Sequence, residues 1–241
     1  MTKKNILITG GTSGIGLGIS KTLYPEYDLT NLSRLQPQKD IAKLFSDYLE
    51  IDLLCKEQKI KQELELLKAK GKVFNGLIAC SGMQKIASIV SLREKDLLDL
   101  FQLNLFSNVF LLKNMLRLGL LNNGSSVVFL SSISSSKPDA GMSMYSMTKA
   151  AIDNFVKVAA AECANRQIRV NSIRPGLIAT PMIERERAYN EDFLKAEQNK
   201  YKLGIGDVNY VADLVQFLIS DRAKWITGQN IMIDGGRSLH N

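Results

Sequence analysis

Tyr145 and Lys149 stand four residues apart in the run Tyr145-Ser146-Met147-Thr148-Lys149. On a helix that spacing puts both side chains on one face, a turn apart. A tyrosine hydroxyl titrates near pH ~10 and by itself is a poor acid or base at neutral pH. A neighbouring ammonium favours the phenolate and draws that pKa toward the working range. The spacing alone is common and usually carries no chemistry. Ser132 lies thirteen residues before Tyr145, where the strand-like run Ser126 to Ser131 ends. A hydroxyl there can donate to a substrate carbonyl oxygen while Tyr145 delivers a proton. Taken alone, Ser132 is a turn serine in the cluster Ser131 to Ser136.

A second group of residues could hold a phosphorylated cofactor. Thr9-Gly10-Gly11-Thr12-Ser13-Gly14-Ile15-Gly16 follows the first strand-like run directly and opens a helix. Glycines there allow a tight turn and close approach of backbone to a pyrophosphate, and the helix supplies unpaired N–H groups and the positive end of its dipole. The spacing is GxxxGxG rather than the commoner GxGxxG. Roughly 20 residues further on, a residue at the end of the second strand is placed to read the adenosine ribose. An acidic side chain at that point would repel a 2′-phosphate. The chain has Ser33 followed by Arg34, whose planar, permanent charge can pair with one. NADP(H) is therefore favoured over NAD(H). Ser13 is not basic, so a second cation for the phosphate is missing from the glycine turn.

These residues need a scaffold, and the hydrophobic pattern describes one. Strand-like runs are Asn5 to Thr9, Asp28 to Ser33, Tyr48 to Ile51, Val73 to Cys80, Ser126 to Ser131, Ile168 to Ile173 and Asn230 to Ile233. Several are apolar almost throughout, as parallel strands covered on both faces are. Helical patterns lie between them at Glu57 to Lys70, Glu94 to Leu118 and Ser143 to Asn165. The alternation predicts an α/β fold: one Rossmann-type, doubly wound parallel sheet of about seven strands with helices on both faces, a single domain over residues 1–241. Its functional residues are expected at the C-terminal ends of the strands.

Bulk properties bound the function classes. The 45% hydrophobic fraction suits an ordinary globular core, and the charge of +7 is spread along the chain rather than gathered in a nucleic-acid-binding patch. Cys55, Cys80 and Cys163 have no metal-type spacing and their odd number suggests free thiols. The single histidine, His240, leaves no set for a histidine metal site or a Ser-His-Asp triad. No leader-like or membrane-length apolar run is present, so the expectation is a cytoplasmic protein with neither a membrane nor a nucleic-acid partner.

Several motifs in order resemble the short-chain dehydrogenase/reductase family, in its compact form typified by 3-oxoacyl-acyl-carrier-protein reductases, over nearly the whole chain. They are Thr9 to Gly16, Val127 to Ser132, Tyr145 to Lys149, Arg169-Val170-Asn171-Ser172-Ile173-Arg174-Pro175-Gly176, Ile226-Thr227-Gly228-Gln229 and Asp234-Gly235-Gly236. The resemblance implies that Tyr145 is the general acid of carbonyl reduction and the general base of alcohol oxidation. It implies that Lys149 holds the nicotinamide ribose and lowers the Tyr145 pKa, that Ser132 orients the carbonyl, and that Asn104 positions a water in a proton relay. By the same likeness Gly10, Thr12, Ser13, Gly14, Ile15, Gly16, Ser33, Arg34, Asp52, Leu53, Gly82, Tyr145, Lys149, Pro175, Gly176, Ile178 and Thr180 contact the cofactor. Within that set, Asp52-Leu53 face adenine, while Ile178 and Thr180 hold the carboxamide and a phosphate. A homotetramer or homodimer is also implied, built on the Glu94 to Leu118 and Ser143 to Asn165 helices and the C-terminal strand. One departure stands out: where the family has Asn-Asn-Ala-Gly, this chain has Ala79-Cys80-Ser81-Gly82. The glycine is kept, and the lost asparagine puts local bracing of the sheet in question. Cys80, in or beside a buried strand and without a histidine, reads as an inert core thiol.

The expected activity is hydride transfer between NADP(H) and a carbonyl or alcohol, as a ketone or aldehyde reductase. Candidate substrates are a 3-oxoacyl thioester, a keto sugar, or a small ketone or aldehyde. The segment from Met182 to about Gly206 is expected to close the substrate pocket, with Met142 and Met144 along its wall or simply packing the loop. Two alternatives stay open: a sugar-nucleotide-modifying member of the same superfamily, which would need a larger C-terminal domain, and a catalytically inert dinucleotide sensor, which would typically lose Tyr145 or Lys149.

Overall fold

A computed structural model of the chain describes residues 3–181, 195–196 and 198–239. Its centre is a seven-stranded sheet, all parallel, in the order β3-β2-β1-β4-β5-β6-β7. The strands are β1 (Lys4–Thr9), β2 (Tyr27–Ser33), β3 (Asp47–Glu50), β4 (Phe74–Ala79), β5 (Leu121–Leu130), β6 (Arg169–Pro175) and β7 (Asn230–Ile233). Around them lie α1 (Gly14–Leu23), α2 (Lys39–Ala42), α3 (Glu57–Ala69), α4 (Glu94–Phe101), α5 (Ser107–Arg117), α6 (Ser143–Cys163) and α7 (Val208–Ile219).

The two-residue period of the strands divides the core into two layers. Leu7, Leu77, Ala79, Val127 and Phe129 face one side, against Ile60, Leu64 and Leu67 of α3, Leu111 and Met115 of α5, and Ile152 and Val156 of α6. Their neighbours Ile6, Ile8, Ile78, Val128 and Leu130 face the other, against Ile19 and Leu23 of α1 and Val211, Val215 and Leu218 of α7. Both faces are covered, which explains why the strand sequences are apolar in runs and do not alternate. Strand order reverses between β1 and β4, because the chain passes out through β2 and β3 and returns to pair β4 on the other side of β1. The crevice at such a reversal, outside the carboxyl ends of the strands, is where ligands bind in open α/β sheets.

Three details depart from the sequence reading. The segment expected as one helix from Glu94 to Leu118 is continuous but carries a π-helical turn at Gln102–Phe106 between α4 and α5. Strand β5 begins at Leu121, earlier than the expected Ser126, and its register against β4 shifts between Phe74 and Gly76. Helix α7 was not anticipated from periodicity, although its signals are in the sequence: Asp207 caps it by accepting from Asn209 N at 2.8 Å, and Val211, Ala212, Val215, Leu218 and Ile219 form its buried stripe. Among the described residues no helix is long and apolar enough to cross a membrane, and the three cysteines are free.

Candidate active site

The glycine turn is built by close approach of backbone to backbone. Gly10 has φ +67°, and its N–H donates to Leu32 O at 3.0 Å, tying the turn to β2. A Cβ on Gly16 would lie 2.1 Å from the Gly10 carbonyl oxygen, so only glycine lets α1 start against the turn. Helix α1 begins without a capping side chain: Ser13 makes no cap hydrogen bond, and no acidic residue occupies the first turn. Its N-terminus therefore keeps donors and dipole for an anion. Thr12 and Ile15 are half-buried and Ser13 is exposed. The space beside Gly14 opens toward Thr180, whose Cγ2 would lie 3.7 Å from an added Cβ. Glycine turn and Thr180 thus face each other across the crevice, although 166 residues separate them in the chain.

The end of β4 is braced from β1. Thr9 Oγ1 accepts from both Cys80 N and Ser81 N at 3.0 Å, bracing the two strands where they diverge. Burial pushes the Cys80 thiol up to about 12, with Lys149 pulling the other way, so it is an unreactive neutral thiol at neutral pH.

On the opposite wall, β5 ends at Leu130 and Ser132 follows, 9% exposed, with its Oγ accepting from Ser134 N at 3.2 Å. Lys149, on α6, is 4% exposed and donates from Nζ to Leu130 O at 2.7 Å. The same Nζ lies 5.5 Å from the centre of the half-buried Tyr145 ring. Burial lowers the Lys149 pKa to about 8, opposed by the Cys80 thiol and the Asp153 carboxylate. Asn104 sits on the π-helical turn, fully buried; its amide donates to Met83 O at 2.9 Å and to Thr148 Oγ1 at 3.1 Å and accepts from Met83 N at 2.9 Å. A Cβ on Gly82 would come 3.3 Å from Asn104 Oδ1 and 3.6 Å from Lys149 Nζ. Gly82, Asn104, Tyr145 and Lys149 are therefore neighbours, drawn from β4, the α4–α5 junction and α6. Such π turns recur at functional sites because they re-aim one side chain within a helix.

Other expected contacts are placed with differing clarity. Arg34 is exposed just past β2, and among the described residues it has no acidic partner. Asp52 is exposed and accepts from Leu54 N at 3.0 Å, while the Leu53 side chain belongs to the core under α3. After β6, Gly176 passes Tyr201, whose hydroxyl accepts from Leu177 N at 3.0 Å, and Ile178 packs with Ile15 in the second core layer. Met144 is fully buried and Met142 half-buried. Most of the expected substrate segment, residues 182–194 and 197, lies outside the described residues.

Sequence reasoning missed the anchor of α6. Asp153, one turn after Lys149, accepts from Ser172 Oγ at 2.7 Å and Arg174 Nε at 2.6 Å, and from Asn230 Nδ2 at 3.2 Å. This 5% exposed carboxylate fixes α6 to β6 and β7. A buried charge demands partners, but nothing in a lone Asp153 identifies them in the sequence.

A dinucleotide fits this geometry: an uncapped helix N-terminus over a glycine cradle, a buried ammonium beside Gly82, and an exposed Arg34 beyond β2. A family profile described as enoyl-(acyl carrier protein) reductase matches residues 11–238. The chain is 28% identical over 239 residues to the 3-oxoacyl-[acyl-carrier-protein] reductase FabG of Rickettsia felis, covering 98% of this chain and 97% of that one. Its fold superposes with a TM-score of 0.90 on a short chain dehydrogenase family protein from Francisella tularensis, 28% identical, covering 99% of this chain and 100% of the other. It also superposes with a TM-score of 0.85 on ElxO with NADP bound, 25% identical, at 99% and 100% coverage. With the family profile matching most of its length and the seven-stranded parallel sheet in place, the chain belongs to the short-chain dehydrogenase/reductase family of oxidoreductases.

Proposed function

We propose that this protein is an NADP(H)-dependent carbonyl reductase, interconverting a ketone or aldehyde with its alcohol, and that residues 1–241 act as one cofactor-binding and catalytic unit. The observation that carries the reading is the buried Lys149 ammonium, 5.5 Å from the Tyr145 ring centre and beside Gly82 and Asn104. Burial there disfavours the charge, and a charge kept at such cost is typical of functional sites. When bound, NADP(H) supplies or accepts the hydride. The chain's own residues position and manage the proton. Ser132 holds the carbonyl oxygen, and Tyr145 donates to that oxygen in reduction and accepts the proton in oxidation. Lys149 stabilises the Tyr145 phenolate and binds the nicotinamide ribose. Asn104 orders the route by which the Tyr145 proton is replaced.

On the cofactor side, Gly10, Thr12, Ser13, Gly14, Ile15 and Gly16 cradle the pyrophosphate, and Asp52, Leu53 and Gly82 flank the adenosine half and the nicotinamide ribose. Pro175, Gly176, Ile178 and Thr180 close over the nicotinamide end. Arg34, with Ser33, selects the 2′-phosphate, in keeping with the NADP seen in ElxO. The substrate is a small molecule. Exposed Leu98, Phe106 and Val158 on α4, the π turn and α6 suit burial in a homotetramer, as does Trp225 close before β7. Light scattering at micromolar concentration checks the assembly, and monomer alone would contradict it.

The test of activity is a fluorescence titration with NADPH and NADH followed by turnover on a panel of ketones, aldehydes and 3-oxoacyl thioesters. NADPH is expected to bind more tightly and to reduce at least one carbonyl class. Tight NADPH binding with no turnover on any class would move the inert-sensor reading ahead.

A further inference from the structure

The turn that carries Arg34 is held by a chain of side-chain hydrogen bonds running from the glycine turn to β3. Gly11 N donates to Asn31 Oδ1 at 2.9 Å. Asn31 Nδ2 donates to Ser33 Oγ at 3.1 Å. Ser33 Oγ lies 3.1 Å from the Tyr48 hydroxyl. That hydroxyl in turn donates to Ser33 O at 3.0 Å and to Leu35 O. These two carbonyls belong to the residues on either side of Arg34. One phenolic proton shared between them, as a three-centre bond, closes the turn around the arginine. The Ser33 hydroxyl faces both the phenol oxygen and Leu35 O, the latter at 3.3 Å, so the two hydroxyls converge on the turn's carbonyls.

Asn31 is fully buried, and a Cβ on Gly11 would come 2.7 Å from its Oδ1. The relay therefore begins in a contact that only glycine permits. Tyr48 is half-buried on β3, paired in register with Asn31 of β2. Burial, with Glu50 adding to it against the Ser33 hydrogen bond, raises the Tyr48 pKa above its ordinary value. The phenol accordingly stays a donor throughout the working pH range. Arg34 itself is exposed on a turn outside any regular element. A free arginine side chain loses rotamer freedom when fixed. An unfixed backbone beneath it would add to the entropy lost on binding.

We propose that Tyr48 is a positioning residue for cofactor selectivity: its hydroxyl grips the Ser33 and Leu35 carbonyls and so presents Arg34 to the 2′-phosphate of NADP(H). The proposal rests on the NADP(H) reading above. The effect of Tyr48 passes through the turn it holds. NADH lacks the 2′-phosphate and is indifferent to the grip.

The test is a double-mutant cycle on the full chain, reading NADPH and NADH dissociation constants for Tyr48→Phe, Arg34→Ala and the pair. Tyr48→Phe keeps the ring and its packing, and an unchanged melting temperature confirms the fold. NADPH affinity is expected to fall about 3- to 10-fold, the worth of one hydrogen bond, while NADH affinity moves by less than about twofold on the same scale. In the Arg34→Ala background the same change should have no effect on the ratio. Equal loss of both cofactors, no loss of either, or a full Tyr48→Phe effect without Arg34 would overturn the proposal. If Arg34→Ala itself leaves the preference intact, the NADP(H) reading fails and the Tyr48 role with it. If Arg34→Ala erodes the preference and Tyr48→Phe does not, Tyr48 alone loses its role.

Discussion

The two cations assigned to the cofactor are placed in opposite ways. Lys149 lies 4% exposed beneath the β5 end, its pKa brought to about 8 by burial. Arg34 stands in solvent beyond β2, on a turn. The difference follows from what each charge must do. A group that tunes a neighbouring phenol has to act at short range in a low dielectric, where its own charge is costly and adjustable. A group that selects a phosphate needs only a permanent charge and an open approach, and arginine cannot lose its proton. On the proposed reading, the wall that manages the proton is packed and the wall that selects the cofactor is presented.

Substituting the buried cation gives the largest expected effect. Lys149→Ala should damage cofactor binding and turnover together, by about 10³-fold or more in kcat/KM, because a ribose contact and the support of Tyr145 are both lost. A loss confined to binding would leave Lys149 its ribose contact and remove its support of Tyr145. Next comes the cradle shared by both walls. Gly16→Ala forces a Cβ to 2.1 Å from the Gly10 carbonyl oxygen. It should destabilise the fold by about 3 kcal/mol or more, several degrees in melting temperature. Gly14→Ala, with room beside Thr180, should cost less, mainly for its φ of +50°; a calorimetric scan of both variants ranks them. On the exposed side, Arg34→Ala should weaken NADPH by about one to two decades and NADH little, equivalent to about 1.5–3 kcal/mol. Unchanged preference would erase the contrast between the walls.

The smallest effect is on stability against pH. The Lys149 pKa lies near 8 in the folded chain, below the ordinary 10.5 of an unfolded lysine. Between those values the unfolded state binds more protons, so stability should rise as pH increases from about 8 to about 10.5. The penalty for the buried charge is fully present below pH ~8. Compared with Lys149→Met, which keeps the apolar stem, the wild type should gain on the order of 1–3 kcal/mol across that window. Urea unfolding at pH 7.5 and pH 10 reads the difference, and parallel curves for the two proteins would contradict the assignment.

The fold was legible because two-sided burial writes itself into whole strands. All seven expected strands exist, one of them with matching ends, Asn230–Ile233. Tyr145, Lys149 and Ser132 could be proposed from the sequence because the chemistry assigned to them depends on spacing along one helix and on a strand end. The braces could not. Thr9, Asn31, Tyr48 and Asp153 act on residues far away in the chain, and each is an ordinary residue until its partner is known. The π turn at Asn104 was hidden for a related reason: the apolar period runs through α4 and α5 almost unbroken, and the extra backbone residue is absorbed locally.

The central claim is that Tyr145 moves the proton and does little for cofactor affinity. Tyr145→Phe removes one hydroxyl and keeps the ring over which Lys149 sits. With a substrate in hand, kcat and the NADPH dissociation constant of this variant separate the two roles. The account predicts a kcat lower by about 10²–10⁴-fold with NADPH affinity nearly unchanged. A variant that keeps near wild-type kcat would contradict it and would require a different acid.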